Sequence, residues 1–383
     1  MPSIAPAAPA DEPQFVTYTA GATVHKRPVL RGAAMKPTFS SIPDVDCSNL
    51  LSNSLDERRA LASEIGKALR EVGFFYAHNP PGVTREAMDG VFEGMAEFFS
   101  LPVEEKLKVH THKSTAARGY EPLMETQADK STKGDAKESF IIGEDPLDPD
   151  HAWIGKDPEE GDGPMNIWPA GQDRFRQAFQ RYYKESYRFA QALLRVYALA
   201  LGLDELALDK YFEFPTANAN CLHYPPQDAG DKEIVGLAAH CDYSLFTLVL
   251  QQGVEGIQVL NDNGHWVPGP PKKYTYLVNV GDYLQILTNG IFRSTVHRVI
   301  NSSGSERYSL PMFFSPDWRC TIAPIGDLLK EGEEPKYEGV AVESMHVHRI
   351  FATRFKHPTA ALIKEKGLKF ENLRYSMLKG RFS

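Results

Sequence analysis

Hydrophobic residues recur every three to four positions in the first half of the chain, which is the period of an amphipathic helix. One such run begins after Ser54, a residue type that caps helices. A second run covers 88–99, and a long third one covers 173–201. Before the second run, residues 73–77 are continuously apolar and predict a buried strand. We therefore expect a helical module over 39–205.

The pattern changes after this module, where short apolar runs alternate with turn residues such as Asn263-Gly264 and Asn289-Gly290. The runs that predict strands are 221–224, 244–251, 256–260, 276–280, 283–287, 295–300 and 308–314. Many short strands at near-even spacing are typical of a sandwich or barrel. Because the helices and strands are segregated along the chain, we expect an α+β fold.

The remaining stretches complete the domain plan. Residues 1–38 are rich in Pro and Ala and predict a flexible or surface-hugging extension. Residues 113–170 are polar and rich in Gly and Pro, with strand character only at 139–142. So long a connection is typical of a lid or of disorder, and we expect a lid. We assign the strand-rich core to 206–320 and a helical tail to 321–383.

Composition narrows the classes of protein. The chain has 383 residues, and 42 Lys and Arg against 50 Asp and Glu give a formal net charge of −8, which argues against a nucleic-acid partner. No apolar run approaches the roughly 18 residues of a membrane span. The chain start has no basic segment followed by an apolar one, so we expect a cytoplasmic protein. Four scattered cysteines without a CxxC pattern indicate reduced thiols: Cys47, Cys221, Cys241 and Cys320.

Candidate chemistry lies inside the strand-rich core. His240 and Asp242 are separated by one residue, so their side chains share a face of an extended segment. His297 falls within the predicted strand 295–300. Two histidines and one carboxylate form the facial triad of non-haem Fe(II) oxygenases, which leaves coordination positions open for substrate and O2. Alone the pattern is weak, because zinc hydrolases use similar ligands.

A second pattern follows in the next predicted strand. Arg307 and Ser309 share a strand face, so a guanidinium and a hydroxyl can converge on one carboxylate. Arg binds carboxylates in a bidentate manner that Lys does not reproduce. Such an anchor has no purpose in a zinc hydrolase, so the two patterns together favour an oxygenase that takes a carboxylate-bearing co-substrate.

The combined order of motifs resembles the Fe(II)/2-oxoglutarate-dependent dioxygenase superfamily, in its isopenicillin-N-synthase-like branch. The pattern is similar to fungal members such as thymine hydroxylase and secondary-metabolite oxygenases. The segments that carry the resemblance are 42–46, 73–79, 118–120, 137–140, 222–225, 240–242, 297–299, 307–309 and 336–339.

The resemblance implies a distorted double-stranded β-helix, or jelly roll, flanked by helices. It implies three catalytic iron ligands: His240, Asp242 and His297. It implies three residues that hold 2-oxoglutarate at its distal carboxylate: Arg307, Ser309 and Tyr224. The reaction implied is oxidation of a small organic molecule by O2, with release of succinate and CO2. Hydroxylation, desaturation, epoxidation and ring rearrangement are all within this chemistry, and a secondary-metabolite scaffold is the expected substrate.

Three further residues are expected to line the substrate pocket: Phe313, Asn220 and Leu222. Packing in the core of a β-sandwich is an equal alternative for Phe313. Two alternatives to the main function stay open: an Fe(II) oxidase of the same fold that uses no 2-oxoglutarate, and a nucleobase hydroxylase. A catalytically silent binding protein is disfavoured because all three ligands of the triad are present.

Overall fold

The computed structural model describes residues 14–20, 23–114, 116–127, 134–143, 166–226, 236–301 and 303–369. Its strands are β1 Phe15–Ala20, β2 Thr23–Pro28, β3 Asp44–Asp46, β4 Phe74–His78, β5 Gly119–Glu121, β6 Glu138–Ile142, β7 Pro215–Tyr224, β8 Leu237–His240, β9 Phe246–Gln251, β10 Ile257–Leu260, β11 Trp266–Pro268, β12 Tyr276–Val280, β13 His297–Val299, β14 Arg307–Asp317, β15 Thr321–Ile322 and β16 Val340–Ala341. Its α-helices are α1 Leu55–Glu71, α2 Arg85–Phe99, α3 Val103–Lys106, α4 Asp173–Ala200, α5 Asp282–Leu287, α6 Val342–Ala352 and α7 Pro358–Glu365.

The predicted amphipathic helices form as α1, α2 and α4. The Ser54 side chain caps α1 by accepting a hydrogen bond from the backbone N–H of Glu57. The apolar faces of the three helices share one hydrophobic cluster with Phe246, Tyr276 and Phe314 of β9, β12 and β14. The helices therefore cover the outer face of the sheet that contains these strands.

Two sheets form the core of the molecule. One has the strand order β3-β4-β12-β9-β14-β7-β6-β5, and the other has the order β11-β10-β13-β8-β1-β2. Their inner faces meet in a second hydrophobic cluster, which includes Val249 and Leu277 of the larger sheet and Val259 and Val299 of the smaller one. Two curled sheets that face each other, with helices outside, confirm the α+β jelly roll.

The prediction of a flexible N-terminal extension is wrong for the part that the structure describes. Strands β1 and β2 form an antiparallel hairpin, and Thr19 of β1 pairs in parallel with His240 of β8. Val16 and Tyr18 pack on the cluster formed by Cys241, Leu260 and Val296. The alternation of these apolar residues with Thr is a strand pattern, which the Pro- and Ala-rich residues before it obscured. Residues 1–13 lie outside the described residues.

The run 283–287 is also a correction, because it forms helix α5 and not a strand. A short apolar run that is buried on all sides cannot be assigned to a strand or a helix by periodicity alone. Gly281 precedes the helix, and Asp282 supplies an acidic side chain to its first turn, where the helix dipole favours negative charge. The other predicted strands of the core form: 276–280 has the predicted bounds as β12, and the rest have shifted ends.

The expected helical module also contributes strands β3 to β6, all of which join the larger sheet. Strands β5 and β6 come from the predicted lid, 113–170, of which 115, 128–133 and 144–165 lie outside the described residues. Helices α6 and α7 agree with the expected helical tail, whose residues 370–383 lie outside the described residues. Among the described residues, every helix is too short or too polar to cross a membrane.

Candidate active site

The structure brings the three predicted ligand residues together on the smaller sheet. His240 ends β8, and His297 begins β13 directly opposite it in the antiparallel register. Asp242 follows β8 by two residues, so its side chain returns to the same face as His240. One donor atom from each of the three residues lies within 4.8 Å of the other two.

Hydrogen bonds orient each donor toward a common point. Nδ1 of His240 lies 2.8 Å from the carbonyl oxygen of Ala238, and Nδ1 of His297 lies 3.2 Å from that of Thr295. Both imidazoles therefore present Nε2 to Asp242, at 3.4 and 3.7 Å from its Oδ1. A ring nitrogen that donates to a carbonyl fixes the tautomer in which the other nitrogen can bind a metal.

The second carboxylate oxygen of Asp242 is fixed by two hydrogen bonds. Oδ2 accepts hydrogen bonds from Oγ1 of Thr247 at 2.6 Å and from Nδ2 of Asn279 at 2.8 Å. Both donors lie in strands of the larger sheet, so that sheet fixes the carboxylate that the smaller sheet presents. Thr247 and Asn279 were not predicted from the sequence: Thr247 lies five residues after Asp242 but in the next strand, β9, and Asn279 lies 37 residues after it, in β12.

Burial and the short distances between the three side chains set the protonation states of Asp242 and His297. Burial opposes ionisation of Asp242, but the nearby His297 and His240 and the bond from Thr247 outweigh it and lower the pKa of the carboxyl group. Burial, together with the neighbouring His240, lowers the pKa of His297 to about 4. The metal-free site thus holds an ionised carboxylate beside a neutral imidazole, which are the protonation states that metal ligation requires.

The predicted anchor residues lie on neighbouring strands of the larger sheet. Arg307 of β14 pairs with Tyr224 of β7, and Ser309 pairs with Leu222. The guanidinium of Arg307 donates to Oγ of Ser309 at 3.1 Å and to Oε1 of Gln251 at 3.2 Å. It also stacks on the Tyr224 ring, with 4.8 Å to the centroid.

Arg307 is fully buried, at 0% exposure, yet it has no carboxylate partner among the described residues. Burial lowers its pKa, because a buried charge without a counter-ion is costly. The Tyr224 hydroxyl is buried beside Arg307 and Ser309 and makes no hydrogen bond of good geometry within the described part of the chain. A buried cation and an unsatisfied hydroxyl at one point are what a bound carboxylate would complete.

Space for the guanidinium depends on a glycine. A Cβ added at Gly256 would lie 2.9 Å from Nε of Arg307, and this backbone approach leaves no room for a side chain. The strand β10 that follows therefore packs close to the anchor.

A cavity of about 650 Å³ is lined by the three predicted ligand residues and, from the anchor, by Ser309 and Tyr224. Arg307 does not line it and lies next to Ser309, to which it donates a hydrogen bond. All three predicted pocket residues line it: Phe313, Asn220 and Leu222. On β7 and β14 the inner faces run from Tyr224 and Arg307 at one end to Asn220 and Phe313 at the other. Arg307 and Phe313 are roughly 20 Å apart along the strand, at about 3.3 Å per residue.

The cavity also has walls that the sequence did not predict. The N-terminal hairpin contributes Thr17, Thr19 and Val24, and helix α6 contributes His348 and Arg349. Because Thr19 pairs with His240, the two residues share the inner face of the smaller sheet. Thus both ends of the described chain reach the cavity.

A second histidine cluster lies away from this cavity, where His110, His112 and Glu125 come together. Nε2 of His112 lies 2.9 Å from Oε1 of Glu125. Nδ1 of His110 accepts a hydrogen bond from the backbone N–H of His112, which leaves the proton of the neutral ring on Nε2. Both nitrogens of His110 are then engaged or protonated, so this arrangement is unsuited to a metal.

Comparison with known proteins agrees with the site. Residues 215–316 match the model of the 2OG-Fe(II) oxygenase superfamily, and residues 42–171 match that of the non-haem dioxygenase in morphine synthesis N-terminal region. A 2-oxoglutarate-Fe(II) type oxidoreductase, hxnY, of Emericella nidulans is 36% identical over 321 residues, which cover 81% of this chain and 89% of the relative. Azadirone synthase of Melia azedarach is 34% identical over 337 residues, covering 84% of this chain and 95% of the relative.

Among solved structures, a full-length Neurospora crassa protein crystallised in complex with alpha-KG superposes with a TM-score of 0.71 at 28% identity, covering 82% of this chain and 96% of that one. The fold and the matches define a non-haem iron oxygenase. The chain belongs to the 2-oxoglutarate-Fe(II) oxygenase superfamily. It is a 2-oxoglutarate-dependent dioxygenase that uses Fe(II), 2-oxoglutarate and O2 to oxidise a small organic molecule, with release of succinate and CO2.

Proposed function

We propose that His240, Asp242 and His297 bind the iron of this dioxygenase. The donor set supports the assignment: two imidazole nitrogens and one carboxylate oxygen face one point, and each is oriented by a hydrogen bond on its far side. Two histidines with one carboxylate are the ligands of non-haem Fe(II) oxygenases. The bound iron, with 2-oxoglutarate and O2, supplies the oxidant that removes hydrogen from a substrate carbon.

In the same proposal, Arg307, Ser309 and Tyr224 hold the distal carboxylate of 2-oxoglutarate. Arg307 supplies a permanent charge, and its bond to Ser309 aligns the hydroxyl beside the guanidinium. The single observation that carries this assignment is a fully buried guanidinium without a carboxylate partner among the described residues.

The substrate then lies toward the opposite end of β7 and β14, against Asn220 and Phe313, with Leu222 between Asn220 and the anchor. The amide oxygen of Asn220 is buried and has no hydrogen-bond partner in the described part of the chain, so it can accept a bond from a substrate N–H or O–H. Phe313 and Leu222 supply apolar area beside it. These residues orient the substrate and exclude water while the reacting carbon faces the metal ligands.

We infer that the substrate is a secondary-metabolite scaffold. A cavity of about 650 Å³ lies within the range of roughly 300–1,000 Å³ for pockets that bind drug-sized ligands. Relatives named azadirone synthase and 2-oxoglutarate-dependent dioxygenase citB agree with such a scaffold. The same Neurospora crassa protein crystallised with alpha-KG and thymine favours a nucleobase as the competing class.

The test begins with an anaerobic titration of the metal-free protein with Fe(II) and then 2-oxoglutarate, followed by visible absorption. A chelated keto acid gives a charge-transfer band, which we expect in the wild type and not in His297→Ala. Iron binding without the band would overturn the proposed 2-oxoglutarate anchor.

The second step measures succinate formation with a panel of terpenoids, polyketides, thymine and uracil. Faster 2-oxoglutarate turnover with a polycyclic compound supports the proposed substrate class. Acceleration by the nucleobases alone would overturn it.

A further inference from the structure

The peptide of Cys241, between two of the proposed iron ligands, is held by both ends of the described chain. Its N–H donates to the carbonyl oxygen of Thr19, in the N-terminal hairpin, at 2.8 Å. Its carbonyl oxygen accepts a hydrogen bond from Nη2 of Arg349, in helix α6, at 2.8 Å. Thus the backbone of this residue has one hydrogen bond on each side.

Helix α6 makes further contacts with the residue that follows the ligand Asp242. The guanidinium of Arg349 lies over the ring of Tyr243, 5.6 Å from its centroid. The ring of His346 meets the same tyrosine edge to face at 5.7 Å. These contacts place Arg349 against the residues that precede and follow Asp242.

The side chain of Cys241 is also held in place, by packing. It packs with Leu260 and Val296 on the outer face of the smaller sheet, opposite to the face that carries His240. The N–H of Cys241 lies in the peptide group that joins His240 to Cys241, and its carbonyl lies in the one that joins Cys241 to Asp242. Neither peptide group can therefore rotate without breaking a hydrogen bond. Since these two peptide groups join His240 to Asp242, their orientation sets the angle between the two ligand side chains.

We propose that Arg349 is a positioning residue for the iron site, which clamps the Cys241 peptide against the N-terminal hairpin. This inference rests on the proposed function, in which His240 and Asp242 are iron ligands. Thr19 and Arg349, which hold the peptide, lie outside the ranges 42–171 and 215–316 that the family models match. The two arms of the clamp thus come from the terminal segments of this chain.

The direction in which metal affinity changes on replacing Arg349 distinguishes a positioning role from a purely electrostatic one. Arg349 carries a positive charge near a site for a dication, so its removal would strengthen metal binding if only Coulomb repulsion mattered. A clamp predicts the opposite. Loss of a residue that orients metal ligands typically weakens metal binding by about 10- to 100-fold.

The experiment measures Fe(II) affinity by anaerobic titration in the full chain, with Mn(II) as a redox-stable second probe. We compare the wild type with Arg349→Met, which keeps an unbranched stem, and Arg349→Lys, which keeps a donor. Lys356→Met is the matched control, since it removes one exposed cation shortly after the same helix. We expect weakening of about 10- to 100-fold in Arg349→Met, partial recovery in Arg349→Lys and no change in the control.

Hydrogen exchange of the peptide that contains Cys241 gives a readout without metal. Its amide is expected to be protected in the metal-free wild type and to exchange faster in Arg349→Met, while the melting temperature confirms that the variant is folded. Equal or tighter metal binding in folded Arg349→Met, or an unprotected Cys241 amide in the wild type, would overturn the clamp. Failure of the wild type to bind Fe(II) would instead overturn the proposed function.

Discussion

Replacing Arg307 with Leu should remove most of the affinity for 2-oxoglutarate and leave the iron ligands in place. The guanidinium is fully buried and contacts Ser309, Gln251 and the Tyr224 ring, but no iron ligand. Leu fills part of the volume and supplies no charge. Any carboxylate in this position would then be buried without a counter-ion, which is the costly state that the wild-type residue prevents.

The magnitude follows from the number of bonds. A planar guanidinium can make two parallel bonds to a carboxylate, and hydrogen bonds to charged groups contribute about 1.5–3 kcal/mol each. Loss of two such bonds is about 3–6 kcal/mol, and every 1.4 kcal/mol is a factor of ten in affinity. The dissociation constant for 2-oxoglutarate should therefore rise by roughly 10²- to 10⁴-fold.

The assay is anaerobic titration of the Fe(II)-loaded protein with 2-oxoglutarate, followed by the visible band and by the thermal shift that ligand binding causes. Arg298→Leu is the matched control, because Arg298 follows the ligand His297 but turns outward to Gln258 and the Trp266 ring. The control should retain both signals. Wild-type affinity for 2-oxoglutarate in Arg307→Leu would refute the assignment of the anchor.

Three further predictions concern the ligands and the buried histidines. Asp242→Ala should abolish turnover and weaken Fe(II) binding while the melting temperature of the metal-free protein stays near that of the wild type; full activity would remove Asp242 from the ligand set. Thr247→Val deletes a bond to Oδ2 of Asp242 and should weaken Fe(II) binding by about 10- to 100-fold, which titration measures against Thr275→Val as a control. His357 has its pKa lowered to about 4 by burial, so its neutral form stabilises the fold above its unfolded pKa near 6.5. That stability should fall as the pH drops from about 6.5 toward 4, by up to about 1.4 kcal/mol per pH unit; urea unfolding of metal-free His357→Gln should show a shallower dependence, and an identical slope would contradict the assignment.

The sequence predicted those parts of the site that depend on short spacing. His240 and Asp242 share a face because alternate residues of an extended segment do so, and Arg307 and Ser309 share one for the same reason. The long helix α4 was predicted to within a residue at either end, because its apolar period persists over many turns. Local geometry alone is sufficient for each of these features.

What could not be predicted depends on contacts between distant segments. Asn279, 37 residues after Asp242, reaches it only because β12 pairs with β9 within the larger sheet. The bond from Arg349 to the Cys241 carbonyl joins residues from different domains of the expected plan. In the N-terminal hairpin, apolar residues alternate with Thr, which is a strand pattern. The Pro- and Ala-rich composition of the preceding residues led to the wrong prediction of a flexible extension.

The pairing of strands in the larger sheet also limits how the protein can be divided. Strand β12 pairs with β4, and β7 pairs with β6, so both flanks of the catalytic strands are covered by strands from earlier in the chain. A fragment limited to 206–320 would expose two long apolar sheet edges, which are templates for aggregation. The oxygenase core is therefore not a portable unit: fusion partners and truncations must leave the segment that contains β4 and β6 attached.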